Sequence, residues 1–203
     1  DRPVVFKHSP TFDAGWEATN AERVVRAALA DPEVDVLLVT GAMVSLAASQ
    51  LELAKPVVSS WVMALDQYRV VDMEGDRSTK PNYSFMLVPN RYETDVRAFR
   101  EMIPFDEALV VLGTAYTENF EGTEKDLADF GRKLDMEFEV LPVSDNIAQS
   151  LATLDTTQKV ALLWATPRLD EATRRALILQ LNDRGIATFS LLSHRDVALG
   201  ALA

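Results

Sequence analysis

The chain has 203 residues, 48% of them hydrophobic and 25% charged, enough apolar material for one generous core or two small ones and too much for a disordered chain. A formal net charge of -11 and a pI near 4.6, with no Lys/Arg run or basic stretch interleaved with aromatics, repel phosphate backbones and argue against nucleic acid as a partner. Cysteine is absent, which removes disulfides and thiolate chemistry, and no apolar run approaches the roughly 18 residues that span a bilayer.

In chain order, the pattern alternates strand and helix. Val4 to Lys7 is a short β-branched and aromatic run, predicted to be a strand. After the Ser9-Pro10-Thr11 turn, Ala21, Val24, Val25, Ala28 and Leu29 fall on one helical face, which Asp31-Pro32 ends. Val34 to Val39 is uniformly apolar, as expected of a central parallel strand covered on both sides. Thr40-Gly41 turns the chain into a small-residue helix from about Met43 to Leu53, and Lys55-Pro56 leads into the strand Val57 to Ser60. Residues 64 to 82 are polar and aperiodic, and mark the boundary between two domains. Within them Asp72, Glu74 and Asp76 lack the ordered spacing of a cation loop and read as a solvated loop.

The alternation then resumes. Tyr83 to Val88 is strand-like, and Val96, Phe99 and Ile103 mark a helix ended by Pro104. Ala108 to Leu112 is a buried strand closed by Gly113, and Leu127, Phe130 and Leu134 mark the next helix. Phe138 to Val143 is a strand, and Asp145 is placed to cap a helix carrying Ile147, Leu151 and Leu154. Val160 to Trp164 is again strand. A helix from about Leu169 to Arg184 stops at Gly185, before the strand Ala187 to Leu192. Parallel pairing with right-handed crossovers is the economical topology for this order, giving an α/β fold of two Rossmann-like lobes with parallel sheets. The expected division is a first lobe over 1–82, rejoined by 193–203, and a second over 83–192, hinged near residues 83 and 192.

Open parallel sheets bind ligands beyond the carboxyl ends of their strands. The candidate contacts are therefore Thr40, Gly41 and Ala42; Ser59, Ser60 and Trp61; Thr114 and Tyr116; Trp164 and Thr166; and Ser193. Trp61, Tyr116 and Trp164 could wall a ring-bearing ligand, with Ser and Thr hydroxyls holding its polar groups. The alternative is that these aromatics fill the seam beside the sheet. Phosphate-cradling glycine motifs and the nucleophile elbow are missing, so nothing supports an enzyme or a dinucleotide cofactor. His8 and His194 lack partner spacing for a metal. Ser193-His194-Arg195-Asp196 reads as a helix start, with Ser193 or Asp196 near the first amides, because catalytic sets converge from separate segments.

Val36-Leu37-Leu38-Val39-Thr40-Gly41-Ala42, a small-residue helix, and then Lys55-Pro56-Val57-Val58 resemble a run in ABC-transporter substrate-binding proteins of the type 1 periplasmic-binding fold, in their tryptophan/tyrosine-type branch. Gly185 to Ser190 followed by Val197-Ala198-Leu199-Gly200-Ala201-Leu202-Ala203 is similar to that family's closing segment, and Pro89, Phe99, Ala108 to Tyr116 and Leu154-Asp155-Thr156 follow its second-lobe order. The sequence departs from the family at Met43 and at Trp61-Val62-Met63, so ligand identity does not carry over. One strand-helix unit usual before Val4 is not found, which makes an incomplete first lobe the expectation.

The resemblance implies an extracytoplasmic protein that binds a small, aromatic or amino-acid-like molecule without cofactor or catalysis. Its partner would be an ABC permease or another envelope protein, and its secretion signal lies outside this sequence. The competing expectation is a sensor or interaction domain of an envelope complex that keeps the same fold.

Overall fold

The computed structural model describes residues 3–7, 10–62, 73–74, 77–87, 91–152, 154, 157–191 and 194–202. Two compact units divide the chain, Asp1–Asn90 and Arg91–Ala203. The polar stretch 64–82 is thus not the border, because the strand that follows it pairs into the first unit.

The first unit carries α1 (Ala18–Ala30), β1 (Leu37–Thr40), α2 (Ala42–Gln50), β2 (Val57–Val62), a two-residue hairpin of β3 (Met73–Glu74) with β4 (Arg77–Ser78), and β5 (Tyr83–Leu87). β1, β2 and β5 form a parallel sheet in that order. Register places Leu37, Val39, Val57, Ser59, Tyr83 and Phe85 on one face, where α2 packs and α1 packs on α2 in turn. Val25, Val39, Ala48, Leu51, Leu53, Val57 and Tyr83 make the core there.

The opposite face holds Leu38, Thr40, Val58, Ser60, Ser84 and Met86, with Leu38 50% and Met86 62% exposed. This corrects the expectation of a central strand covered on both sides. β1 is an edge strand among the described residues, and an apolar run by itself reports β propensity rather than two covered faces. Val4 to Lys7 likewise forms no strand: these residues are exposed and pair with nothing in a sheet among the described residues.

The second unit contains α3 (Tyr92–Met102), β6 (Glu107–Gly113), the single-turn α4 (Thr114–Thr117), α5 (Thr123–Leu134), β7 (Glu137–Val143), the single-turn α6 (Ile147–Ser150), β8 (Val160–Leu163), α7 (Glu171–Asp183), β9 (Ala187–Ser190) and α8 (His194–Ala198). Its parallel sheet runs β7-β6-β8-β9. One face packs Leu109, Val111, Ala161 and Leu163 against Leu177, Ile178 and Leu181 of α7 and Leu199 beyond α8. The other meets α3 and α5: Phe99 stacks on Phe189 with centroids 4.3 Å apart, and Phe130 lies against Phe138. Phe99, fully buried, stabilises the unit by about 1.5–3 kcal/mol.

Helix ends follow local chemistry. Asn146, not Asp145, caps α6 by accepting from the Gln149 amide, and the helix lasts one turn although Leu151 and Leu154 still face the core. Gly185 ends α7 at φ 78°, where its lack of Cβ permits the left-handed turn, and Ile186 N donates to Leu181 O. Segment 194–202 groups with the second unit. Leu202 bridges Phe189 in parallel, and Leu199 and Ala201 join the core beside α7. Among the described residues no helix is long and apolar enough to cross a membrane.

Candidate ligand-binding site

Each sheet presents its own set of carboxyl-terminal strand ends. In the first unit the chain leaves β1 through Gly41 at φ 97° to enter α2. Gly41 N donates to Ser60 O at 3.3 Å and Ser45 Oγ returns a bond to Gly41 O at 2.7 Å, so the turn is tied to both β2 and α2. Ser59 lies on the covered face, fully buried, its hydroxyl bonded to that of Ser45. The Tyr83 hydroxyl donates to Ser45 O at 3.1 Å, and burial pushes its phenol above the ordinary 10.0. Ser59 is therefore part of an internal hydroxyl chain rather than a surface contact, because strand alternation turns it inward.

Thr40 and Ser60 pair in register on the uncovered face, where Thr40 is exposed and the Ser60 hydroxyl reaches Val39 O at 3.4 Å. Ala42, the first residue of α2, is buried. The Trp61 side chain lies outside the described residues, as do Ser193, Leu192 and the acidic residues Asp72 and Asp76.

In the second unit, β6 and β8 run side by side at the centre and their ends are stapled together. Gly113 N donates to Ala165 O at 2.8 Å and Trp164 N to Val111 O at 3.1 Å. A Cβ on Gly113 would stand 3.0 Å from Pro167 Cδ and 3.2 Å from Thr166 Cα, so the loop after β8 reaches its position only because residue 113 has no side chain. Trp164 is 3% exposed with its ring tilted on Tyr92, centroids 4.6 Å apart, and Tyr116 is 5% exposed against Phe120. Both rings are taken up in packing rather than standing as open walls. Thr114 opens α4, and its carbonyl accepts from the Thr117 hydroxyl at 3.1 Å.

Thr166 has a different setting. It is 5% exposed, and Arg174 of α7 donates to its Oγ1 through Nε at 3.1 Å and through Nη2 at 2.5 Å. Arg174 Nη1 lies 3.3 Å from Asp196 Oδ1, an ion pair without hydrogen-bond geometry at that oxygen, while Ser190 Oγ donates to Asp196 Oδ2 at 2.8 Å. Asp196 itself is 1% exposed. It pairs with Arg174 instead of capping α8, since a buried carboxylate needs a cation more than an amide.

No family model matches the chain, and no curated protein is similar enough to be matched. Solved structures do match. The ABC domain in complex with L-Trp from Streptococcus pneumonia is 13% identical with a TM-score of 0.65, covering 91% of this chain and 62% of that one. A conserved domain protein from Vibrio cholerae O1 biovar El Tor strain N16961 is 15% identical with a TM-score of 0.68, covering 92% of this chain and 62% of its own. The fold is the same. This chain spans 62% of the length of either neighbour, and at such identities the likeness is one of architecture: α/β, with two parallel-sheet lobes.

Within that architecture, Arg174 is the cation that motif reading passed over, and Asp196, read in the sequence as part of a helix start, is its ion-pair partner. The signal was present. Arg174, Leu177, Ile178 and Leu181 share one stripe of α7, so a cation stands on the face that the helix buries.

Proposed function

We propose that the chain is a small-molecule-binding domain, the solute-capturing part of an ABC-type transport system outside the cytoplasm, and that it binds its ligand without transforming it. The observation that carries this reading is the fold it shares, over 91% of its length, with a domain solved in complex with L-Trp. The loop after β8, packed against Gly113 and tied through Thr166 to Arg174, holds a hydroxyl at the end of a central strand and supports it from this chain's own residues. An aromatic or amino-acid-like ligand fits the reading, and an ABC permease would be the partner.

The test is a thermal-shift screen of the 203-residue chain against amino acids and aromatic metabolites, with intrinsic tryptophan fluorescence as a second readout. A ligand present at a hundred times its Kd stabilises the native state by about 2.7 kcal/mol, a shift of several degrees. Absence of a saturable shift with every member of the panel would overturn the reading.

A second reading, a sensor or interaction domain of an envelope complex, is favoured by one observation, the apolar face of the first sheet on which Leu38 and Met86 stand exposed. A stoichiometric protein complex formed without any small-molecule binding would decide for it.

A further inference from the structure

Val4, Val5 and Phe6 are 81%, 82% and 79% exposed, and among the described residues they pair into no sheet. Three successive β-forming apolar side chains left in water are costly. In the same unit β1 stands at the edge of its sheet among the described residues, with Val36 55% and Leu38 50% exposed beside it. An edge of this kind is a template for a further strand. The first unit therefore holds a strand-forming segment outside any sheet together with a sheet edge that a strand fits.

Charge says which strand. Lys7 closes the segment, and its Nζ donates to Asp31 Oδ2 at 2.8 Å and to Glu33 Oε2 at 2.6 Å, on the stretch that leads into β1. The root of the segment is thus held at the approach to β1, while the apolar residues ahead of it stay uncovered in their own chain. Asp31, Glu33 and Asp35 make that approach acidic, and in the sequence Arg2 and Lys7 bracket the apolar residues with cations. A second copy carries the same cationic, apolar segment beside the same acidic, apolar edge, and a two-fold axis satisfies both at once. We propose that residues 4–6 of one copy add to the β1 edge of a second, and reciprocally, so that the first unit forms the interface of a symmetric pair. The net charge of -11 opposes the encounter at a distance, but salt screens that repulsion, whereas the ion pairs and apolar contacts act within a Debye length.

This inference stands independently of the small-molecule reading. Sedimentation velocity of the 203-residue chain, from about 1 to 200 µM in about 0.3 M salt, is expected to show a mass rising from 22.5 kDa toward about twice that value. Val5→Glu puts a charge into the exchanged segment and should raise the dimer Kd by about tenfold or more. Leu38→Lys, on the receiving edge, should do likewise. Both variants should melt as the wild type does when dilute, because both positions are exposed in the single chain. A chain that stays at 22.5 kDa throughout overturns the proposal. So does a dimer that Leu38→Lys weakens and Val5→Glu leaves intact, since the copies would then meet through their sheet faces alone. A lowered melting temperature of dilute Val5→Glu would also overturn it, by showing that the segment covers its own chain.

Discussion

Arg174 Nη1 stands 3.3 Å from Asp196 Oδ1, which links the buried stripe of α7 to the first turn of α8 beneath the end of β9. Removing one partner of such a pair strands the other. Asp196→Ala should destabilise the second unit by about 3 kcal/mol in urea unfolding, and the double variant Arg174→Met/Asp196→Ala should recover much of the loss, because apolar replacement of a buried pair is often neutral. Equal losses in the single and double variants would show that the ion pair is not what Asp196 contributes.

The turn at Gly113 offers a test of the stapled loop. Gly113→Ala places a methyl 3.0 Å from Pro167 Cδ and 3.2 Å from the Thr166 backbone, and the backbone cannot swing aside as a side chain would. The expected cost is about 1–3 kcal/mol, together with weaker ligand binding, measured by unfolding and by titration on the same preparation.

At high pH the first unit should weaken through Tyr83. Burial raises its phenol above 10.0 in the folded chain, so the neutral form is favoured there. The contribution is complete below the ordinary phenol value and is lost as pH rises from 10.0 through the raised value. Unfolding free energies of the wild type and Tyr83→Phe, compared from pH 8 upward, should show this loss in the wild type alone. The variant should start about 1 kcal/mol lower at neutral pH, having lost the bond to Ser45 O.

At low pH the matching site is Asp170. The Thr173 backbone N–H, donating at 2.8 Å, holds its carboxyl below the ordinary 3.8 and caps α7. Stability from this cap is present above 3.8 and disappears as pH falls through the lowered folded value. Asp170→Ala should melt earlier than the wild type at pH 7, and the gap should close in strong acid. A gap independent of pH would assign the effect to something other than the ionised cap.

Much of the second unit was legible because its two central strands, β6 and β8, are buried on both faces, so apolar runs such as Val160 to Leu163 coincide with burial. The first unit misleads by the same rule: Leu38, Val58 and Met86 are as apolar as their neighbours, yet their face carries no helix among the described residues. The border shifted for a related reason. A polar stretch interrupts the first sheet before β5 completes it, and composition registers the interruption, not the pairing of Tyr83 with Val57. At the strand ends, spacing found Thr166 but could not tell its setting from that of Ser59, since only the fold reveals that one is buttressed by Arg174 and the other sealed against Ser45. Trp164 and Tyr116 show the limit of residue type, because ring chemistry serves packing and binding alike.

The uncovered face of the first sheet sets the colloidal behaviour of the chain. With Leu38 and Met86 exposed and β1 at the edge of its sheet among the described residues, two molecules that met there would find apolar contact beside a strand edge. What keeps them apart is the net charge of -11, whose repulsion fades with added salt and vanishes as the buffer approaches pH 4.6. The expected condition for keeping the chain dispersed is therefore a dilute, low-salt, mildly alkaline solution.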